Sequence, residues 1–191
     1  MVTRDLGGVH TIIEISGEIV AYELSENITF YEIPKSIKMS FQAADNQYAL
    51  QMSLEPSYVW QNASNEMEYR KAIELYAFQK NHLSVITTGI PINWKFGKDF
   101  LRTAKNLGFL HEPKKVEILL RAFAETLFGE NRRATHALRT SIGGNAKQKM
   151  RNKDEAWRRD IDYEYHLHYW KTPVGIEFAS VVVHNDMSIP D

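Results

Sequence analysis

The chain has 191 residues, of which 43% are hydrophobic, and a formal net charge of −1, so it holds enough apolar material for the core of one domain. It contains no cysteine, which excludes disulfides, thiolate metal sites and cysteine nucleophiles. No run approaches the roughly 18 consecutive apolar residues of a membrane span, and residues 1–8 lack the basic and then apolar build of a secretory signal. We therefore expect a single cytoplasmic domain, residues 1–191, without a membrane partner.

The first 54 residues predict an antiparallel β-meander. Short alternating runs are separated by turn residues such as Ser16-Gly17 and Pro34-Lys35. The predicted strands cover residues 10–15, 18–24, 28–33, 36–41 and 48–54. Residues 55–63, between the meander and the helices that follow, form the one soft boundary in the chain.

Helical spacing of apolar residues governs the central part of the chain. A helix is expected over residues 65–80, with Ser64 as its N-cap, and the strongest stripe begins at Pro113 and ends at Gly129. The other predicted helices cover residues 98–106, 131–141 and 146–158. Between them, residues 83–88 form a short β-branched run and residues 91–96 a loop.

A β-hairpin closes the sequence. Its predicted strands are residues 160–170 and 176–184, and Pro173 and Gly175 lie in the turn. The order of strands, then helices, then strands favours an α+β fold over alternating βαβ units.

Residues 160–170 are the most informative stretch, because strict alternation predicts one strand with two different faces. Its even positions are Asp160, Asp162, Glu164, His166 and His168. The odd positions supply the apolar side that a strand buries, so we expect Tyr163, Tyr165 and Leu167 in the core and the even face in solvent.

The even face has the residue types of a catalytic or metal site. Same-face positions are about 7 Å apart, close enough for neighbouring imidazoles and a carboxylate to share a divalent metal. In acid–base catalysis, Glu164 or His166 would be the base and His168 or His184 the acid or a metal ligand. A five-residue turn places His184 opposite Glu164, whereas a four-residue turn points it to the other face. The sequence leaves both registers, and the metal, open.

A basic segment precedes this strand. Residues 132–159 hold nine Lys or Arg against two acids, and residues 160–191 hold six acids against one Lys. A polyanion is attracted to such a segment by Coulomb forces that salt screens. The phosphate-binding candidates are Arg139, Lys147, Lys149, Arg151, Arg158 and Arg159. Two other interpretations stay open, a solvated helix face and docking of the basic helices over the acidic hairpin.

Together these features give two hypotheses of different classes. The first is a nuclease-like or phosphate-handling protein that binds nucleic acid through residues 132–159 and does its chemistry on the 160–170 strand, with Arg158 and Arg159 stabilising phosphate charge. The second is a non-catalytic interaction module, such as an immunity protein, an antitoxin or an accessory subunit, whose charged segments bind a protein partner. The sequence does not choose between an enzyme and a binding module.

Overall fold

The structure is a computed structural model that describes residues 2–3, 10–15, 37–42, 51–80, 89–90, 92–141 and 145–191, with side chains from residue 51 onward. The chain divides into two compact units, Met1–Ser53 and Leu54–Asp191. The soft boundary predicted at residues 55–63 begins next to this division. That the whole chain is a single domain stays a prediction.

The first unit contains a three-stranded antiparallel sheet. It consists of β1 (Val2–Thr3), β2 (His10–Ile15) and β3 (Ile37–Gln42), with β2 in the middle. Two of the predicted strands are therefore strands, whereas the predictions for residues 18–24 and 28–33 lie outside the described residues. The predicted strand 48–54 is wrong at residues 51–53, which are helical, because so short an apolar run fits either periodicity.

Four helices of the second unit are α1 (Pro56–Gln61), α2 (Glu66–Gln79), α3 (Phe100–Asn106) and α4 (Pro113–Leu127). The N-cap of α2 is Asn65, one residue later than predicted, and its side chain accepts a hydrogen bond from the Glu68 amide. Left-handed Gly108 and Gly129 follow the ends of α3 and α4, which confirms the predicted glycine stop signals. Residues 83–88 lie outside the described residues.

The second unit also holds a six-stranded mixed sheet. Its strands are β4 (Trp94–Phe96), β5 (Thr135–Ala137), β6 (Met150–Arg151), β7 (Asp154–Asp160), β8 (Tyr165–Thr172) and β9 (Gly175–Val183). The order is β4-β9-β8-β7-β5, with β6 also on β7, and only the β4–β9 pair is parallel. Helices beside this mixed sheet make the fold α+β. The loop predicted at 91–96 is wrong for β4, which at three residues is too short to show an alternation.

The two helices predicted at residues 131–141 and 146–158 are wrong. Those residues form a short 3-10 helix (Arg132–Ala134) followed by β5, β6 and β7. Arg and Lys are strong helix formers, but along β7 Trp157 and Arg158 face opposite sides of the sheet and each pairs with residues on both neighbouring strands. Pairing between strands distant in sequence outweighs the local helical preference.

The sheet has two differently covered faces. The helix-side face packs on α1 to α4, and its central residues are Trp157, Leu167, Tyr169, Phe178 and Val181. The tail-side face carries a smaller apolar cluster, Leu138, Ala156, Trp170 and Ala179, against which Met187 and Ile189 of the C-terminal segment pack. Three hydrogen bonds fix that segment: Lys149 Nζ, His168 Nδ1 and Trp170 Nε1 donate to the carbonyls of Met187, Ser188 and Pro190, at 2.6, 2.7 and 2.8 Å.

The C-terminal hairpin is present, but residues 160–170 are not one strand. Asp160 ends β7, and β8 begins at Tyr165 after a turn in which the Asp162 carboxylate accepts hydrogen bonds from two backbone amides. The expected solvent-exposed even face is contradicted, since His166 and His168 are 1% and 0% exposed. Leu167 is buried as expected, Tyr165 is half-buried and Tyr163 is 86% exposed. Strict alternation identifies strand faces, yet it cannot reveal that the C-terminal segment covers the polar one.

A β-bulge sets the register of the hairpin. Thr172 pairs with Gly175 across a two-residue turn, whereas His168 pairs with Ser180, so Ala179 is the extra residue. The bulge reverses which face each following residue of β9 occupies. His184 therefore lies opposite Glu164 and donates its backbone N–H to the Glu164 carbonyl at 2.6 Å. The sequence analysis associated this register with a five-residue turn. The structure has a two-residue turn and a β-bulge instead.

Candidate functional site

Three histidines lie around one carboxylate at an end of the tail-side face. Asp160 Oδ2 is 3.3 Å from His136 Nε2, and Asp160 Oδ1 is 3.3 Å from His166 Nε2. His184 Nδ1 is in turn 3.2 Å from His166 Nε2. We call His136, Asp160, His166 and His184 the histidine cluster.

Strand pairing explains how residues so distant in sequence come together. His166 pairs directly with Asp160 across β7 and β8, and His136 pairs with Arg158 across β5 and β7. Directly opposed residues of antiparallel strands project to the same face. The bulge at Ala179 adds His184 to that face, because without the extra residue it would point to the helices.

His166 is the buried member of the cluster. Burial lowers the pKa of its imidazole, and the neighbouring Asp160 carboxylate opposes that shift in part. The neutral ring carries one proton, and a carboxylate oxygen beside Nε2 favours the proton on that nitrogen. In the contact between His166 Nε2 and His184 Nδ1, one ring donates and the other accepts.

His168 has a different environment from the cluster. Burial lowers the pKa of His168 to about 4, although its hydrogen bond to the Ser188 carbonyl acts in the other direction. The ring is therefore neutral at pH 7, and Nδ1 donates to that carbonyl at 2.7 Å. Its contact with the C-terminal segment ties that segment to the sheet.

Buried polar atoms without a hydrogen-bond partner are concentrated on the tail-side face. Among the described residues, five such atoms lie there: Arg158 Nε, Asp160 Oδ1, His166 Nδ1, His168 Nε2 and Ser180 Oγ. Asp160 Oδ1 is within ion-pair distance of His166 but lacks hydrogen-bond geometry to it. Native proteins leave few buried polar groups unpaired, so a concentration of them at one place calls for a functional explanation.

A cleft of about 560 Å³ opens beside the cluster. His136 and His184 line it and are exposed, and Arg158, which also lines it, is half-buried. Arg139 and Ser141 add an exposed guanidinium and an exposed hydroxyl to the wall. The cleft thus presents two imidazoles and two guanidinium groups to solvent, and its volume is in the usual range for small-ligand sites.

The structure brings together only part of the predicted site. His166 and His184 are in the cluster, whereas Glu164 is exposed in the turn, where its carboxylate hydrogen-bonds with the Tyr165 hydroxyl and raises the pKa of that phenol. His168 is on the same face, with its ring centroid 6.2 Å from that of His166. The residues that are brought together lie at the end of the sheet where β7, β8 and β9 meet, and not along the whole of residues 160–170.

The predicted phosphate-binding residues are similarly divided. Arg139 and Arg158 line the cleft, and Lys147 is exposed outside its lining. Arg151 is bound by Glu177 and Asp154, at 3.1 and 3.0 Å, and lies over the Trp170 ring. Lys149 donates to the Met187 carbonyl. Arg159 lies on the opposite, helix-side face, 1% exposed and paired with Glu125.

The sequence analysis did not select His136, and it gave Asp160 no catalytic role. His136 reaches the site only because β5 pairs with β7, and a three-residue strand has no periodicity to detect. Asp160 belongs to the alternating polar residues of the 160–170 stretch, but its contact with His166 depends on the turn at residues 161–164.

The sequence left open whether a divalent metal is bound. In the part of the chain that the structure describes, no group of three or more His, Asp or Glu side chains is arranged to hold a metal ion.

No helix among the described residues has both the length and the hydropathy to cross a membrane.

Comparison with known proteins gives no relative from which a function can be transferred. No protein-family model matches the chain, and neither a curated protein nor a solved structure is significantly similar to it. The case for a function therefore rests on the geometry of the cleft.

Proposed function

We propose that the protein cleaves phosphodiester bonds in nucleic acid by general acid–base catalysis in the cleft beside the histidine cluster. The observation that carries the proposal is the pair of exposed imidazoles, His136 and His184, linked through Asp160 and His166 and lying beside Arg158. Phosphodiester cleavage needs a base for the attacking oxygen, an acid for the leaving oxygen and positive charge for the phosphate. The cleft offers all three.

His136 is suited to be the base. The Asp160 carboxylate at 3.3 Å holds the proton on Nε2, which leaves Nδ1 with the free lone pair. Asp160 also stabilises the imidazolium that forms when His136 accepts a proton, as carboxylates do in catalytic triads.

His184 is suited to be the acid. Its Nδ1 is tied to His166, so Nε2 is the nitrogen that exchanges protons with a substrate. When His184 is protonated, its Nδ1–H donates to Nε2 of the His166 ring, whose own proton then lies on Nδ1. Because burial lowers the pKa of His166, the ring accepts this bond without placing a second positive charge beside His184.

Arg158 and Arg139 would hold the phosphate. Guanidinium groups bind phosphate oxygens in a fork geometry and stay charged at every working pH. Arg158 lies across the strands from both His136 and His168, so it is adjacent to the proposed base. His168 and Glu164 receive no catalytic role in this scheme.

A cleavage assay on labelled RNA and DNA oligonucleotides tests the proposal, with and without EDTA. We expect cleavage that persists in EDTA and falls about 10²–10⁴-fold in His136→Asn and in His184→Asn. His111→Asn, at an exposed histidine outside the cleft, is the matched control and should keep the wild-type rate. Absence of cleavage on both nucleic acids, or equal rates in all three variants, would reject the proposal and leave the protein-interaction module as the better hypothesis.

A further inference from the structure

A second cavity, of about 670 Å³, adjoins the catalytic cleft. Thr135 and Trp157 line both cavities, so the two meet at β5. Among the described strands, β5 pairs with β7 alone, so this strand of three residues lies at an edge of the sheet. A flexible chain lying in the cleft therefore has to pass only this short edge to reach the second cavity. We call it the Trp157 cavity.

The walls of the Trp157 cavity combine flat apolar surface with positive charge. Trp157, Tyr169 and Ile176 line it on the sheet, and Ile92 and Phe128 line it from the neighbouring segments. The Trp157 indole is half-buried, and its Nε1 donates to Glu155 Oε2 at 3.1 Å, which fixes the orientation of the ring. An oriented and partly exposed aromatic ring is the usual platform for an unpaired nucleobase.

Charged side chains surround this apolar surface. Arg132 and Lys171 line the cavity and are exposed. Glu125 and Glu130 line it too, but Glu125 is paired with Arg159. Arg159 is 1% exposed, lines the same cavity, and its Nε is a buried donor without a partner among the described residues. The cavity thus has two exposed cations in its lining and, among the described residues, an unsatisfied donor in its wall.

We propose that the substrate is single-stranded RNA and that the base next to the cleaved phosphate stacks on Trp157. This inference rests on the proposed function, because it takes the cleft as the site of cleavage. In a duplex the neighbouring base pairs cover both faces of each base, so a duplex cannot use the cavity. Arg132 and Lys171 then contact the backbone that leads away from the cleft.

RNA, rather than DNA, matches the chemistry of the histidine pair. His136 Nδ1 takes the proton of the ribose 2′-hydroxyl, the 2′-oxygen forms a bond to phosphorus, and the bond from phosphorus to the 5′-oxygen breaks. The departing 5′-oxygen takes a proton from Nε2 of His184. The products are a 2′,3′-cyclic phosphate and a 5′-hydroxyl, so atoms and charges balance without a co-reactant. The nucleophile belongs to the substrate, and the protein supplies only the acid, the base and the cations.

Binding and cleavage are measured separately, so that this inference and the proposed function can fail independently. The binding probe is a 2′-O-methyl RNA oligonucleotide, which cannot be cleaved through its 2′-oxygen, titrated at low salt. We expect Trp157→Leu to weaken its binding about tenfold, and Trp157→Phe to restore most of the affinity because a ring remains. Tyr58→Leu, at an exposed aromatic residue of α1 outside both cavities, is the matched control and should bind as the wild type does.

A second probe tests whether the base beside the target phosphate is the one that stacks on Trp157. The same oligonucleotide lacking one base beside the target phosphate should bind the wild type about tenfold more weakly, yet bind Trp157→Leu no more weakly than the intact probe does. Equal affinity of wild type and Trp157→Leu, or additive losses from the variant and the missing base, would overturn the stacking inference even where cleavage occurs.

The cleavage arm tests the choice of RNA. Replacing the single ribose at the cleaved linkage by deoxyribose should abolish cleavage there. The product from the unmodified RNA oligonucleotide should carry a 2′,3′-cyclic phosphate. Cleavage of the deoxyribose linkage at the RNA rate would overturn the RNA assignment. If no nucleic acid is cleaved but Trp157-dependent binding is seen, the catalytic proposal fails and the binding site stands.

Discussion

The two faces of the six-stranded sheet are built from alternate residues of the same strands, yet they treat buried polar groups differently. On the helix-side face, Arg159 donates to the Glu130 carbonyl, the Thr135 hydroxyl and the Glu125 carboxylate, and one of its atoms, Nε, is left unpaired among the described residues. On the tail-side face, five residues, including the preceding residue Arg158, each have one buried polar atom without a hydrogen-bond partner among the described residues. We infer that the helix-side face, apart from the Trp157 cavity at its β5 edge, stabilises the fold, and that the polar groups of the tail-side face serve the proposed site.

The largest expected effect is on the helix-side face. Arg159→Met should lower the free energy of unfolding by about 3–4 kcal/mol, because it leaves the Glu125 carboxylate without its buried partner. Arg158→Met, the matched change on the tail-side face, should cost less than about 1 kcal/mol. Urea unfolding of both variants gives the comparison. Equal losses would mean that the two faces do not differ in the way described.

Acid should destabilise the tail-side face through His168. Its pKa is about 4 in the folded protein against an ordinary value of 6.5, so the unfolded chain takes up the proton more readily. The stability is fully present above pH 6.5 and is lost as the pH falls towards 4, by about 3 kcal/mol at 1.36 kcal/mol per pKa unit. Burial shifts the pKa of His166 in the same direction.

Unfolding by urea at pH 7, 5.5 and 4 measures this loss. His168→Asn keeps a donor for the Ser188 carbonyl and should show a smaller loss between pH 7 and 4. His111→Asn is the control and should behave as the wild type does. If His168→Asn and the wild type lose the same amount of stability, His168 is not the group responsible.

Two buried hydroxyl groups, one on each side of the sheet, extend the comparison to changes of about 1 kcal/mol in the free energy of unfolding. Thr126, a buried residue of α4 on the helix side of the sheet, donates to the Ala122 carbonyl at 2.6 Å, whereas Ser180 Oγ has no partner among the described residues. Thr126→Val should therefore cost about 1 kcal/mol, while Ser180→Ala should be neutral or slightly stabilising. Thermal unfolding separates these outcomes. A larger loss for Ser180→Ala would show that its hydroxyl is satisfied in solution.

The smallest expected effect concerns the turn between β7 and β8. Tyr163 is 86% exposed, so Tyr163→Ser should change the free energy of unfolding by less than about 0.5 kcal/mol. A destabilisation of 2 kcal/mol or more would contradict the exposed position and support the continuous strand that the alternation predicted, with Tyr163 in the core.

Elements with local signals could be predicted from the sequence. Pro113 and Gly129 mark the two ends of α4, and Pro173 marks the turn between β8 and β9. Each of these signals acts through its own backbone geometry and needs no distant partner.

The site itself depends on pairing between distant segments, which the sequence does not display. β5 contributes His136 through three residues paired with β7, and one extra residue, Ala179, decides the face of His184. The covering of His168 by Ser188 depends on where the C-terminal segment folds back. Alternation selected His166 as a candidate site residue, but it placed the imidazole in solvent, whereas the ring is buried.

Cleavage by Asp160→Asn tests the central claim most directly, because this carboxylate contacts both His136 and His166 and need not touch the substrate. Asparagine preserves the shape but presents no negative charge to hold the Nε2 proton of His136 in place. We expect the rate on a single-stranded RNA oligonucleotide to fall at least about 10²-fold, with a thermal midpoint within a few degrees of the wild type. A wild-type cleavage rate in Asp160→Asn would contradict the claim that the histidine cluster is the catalytic site.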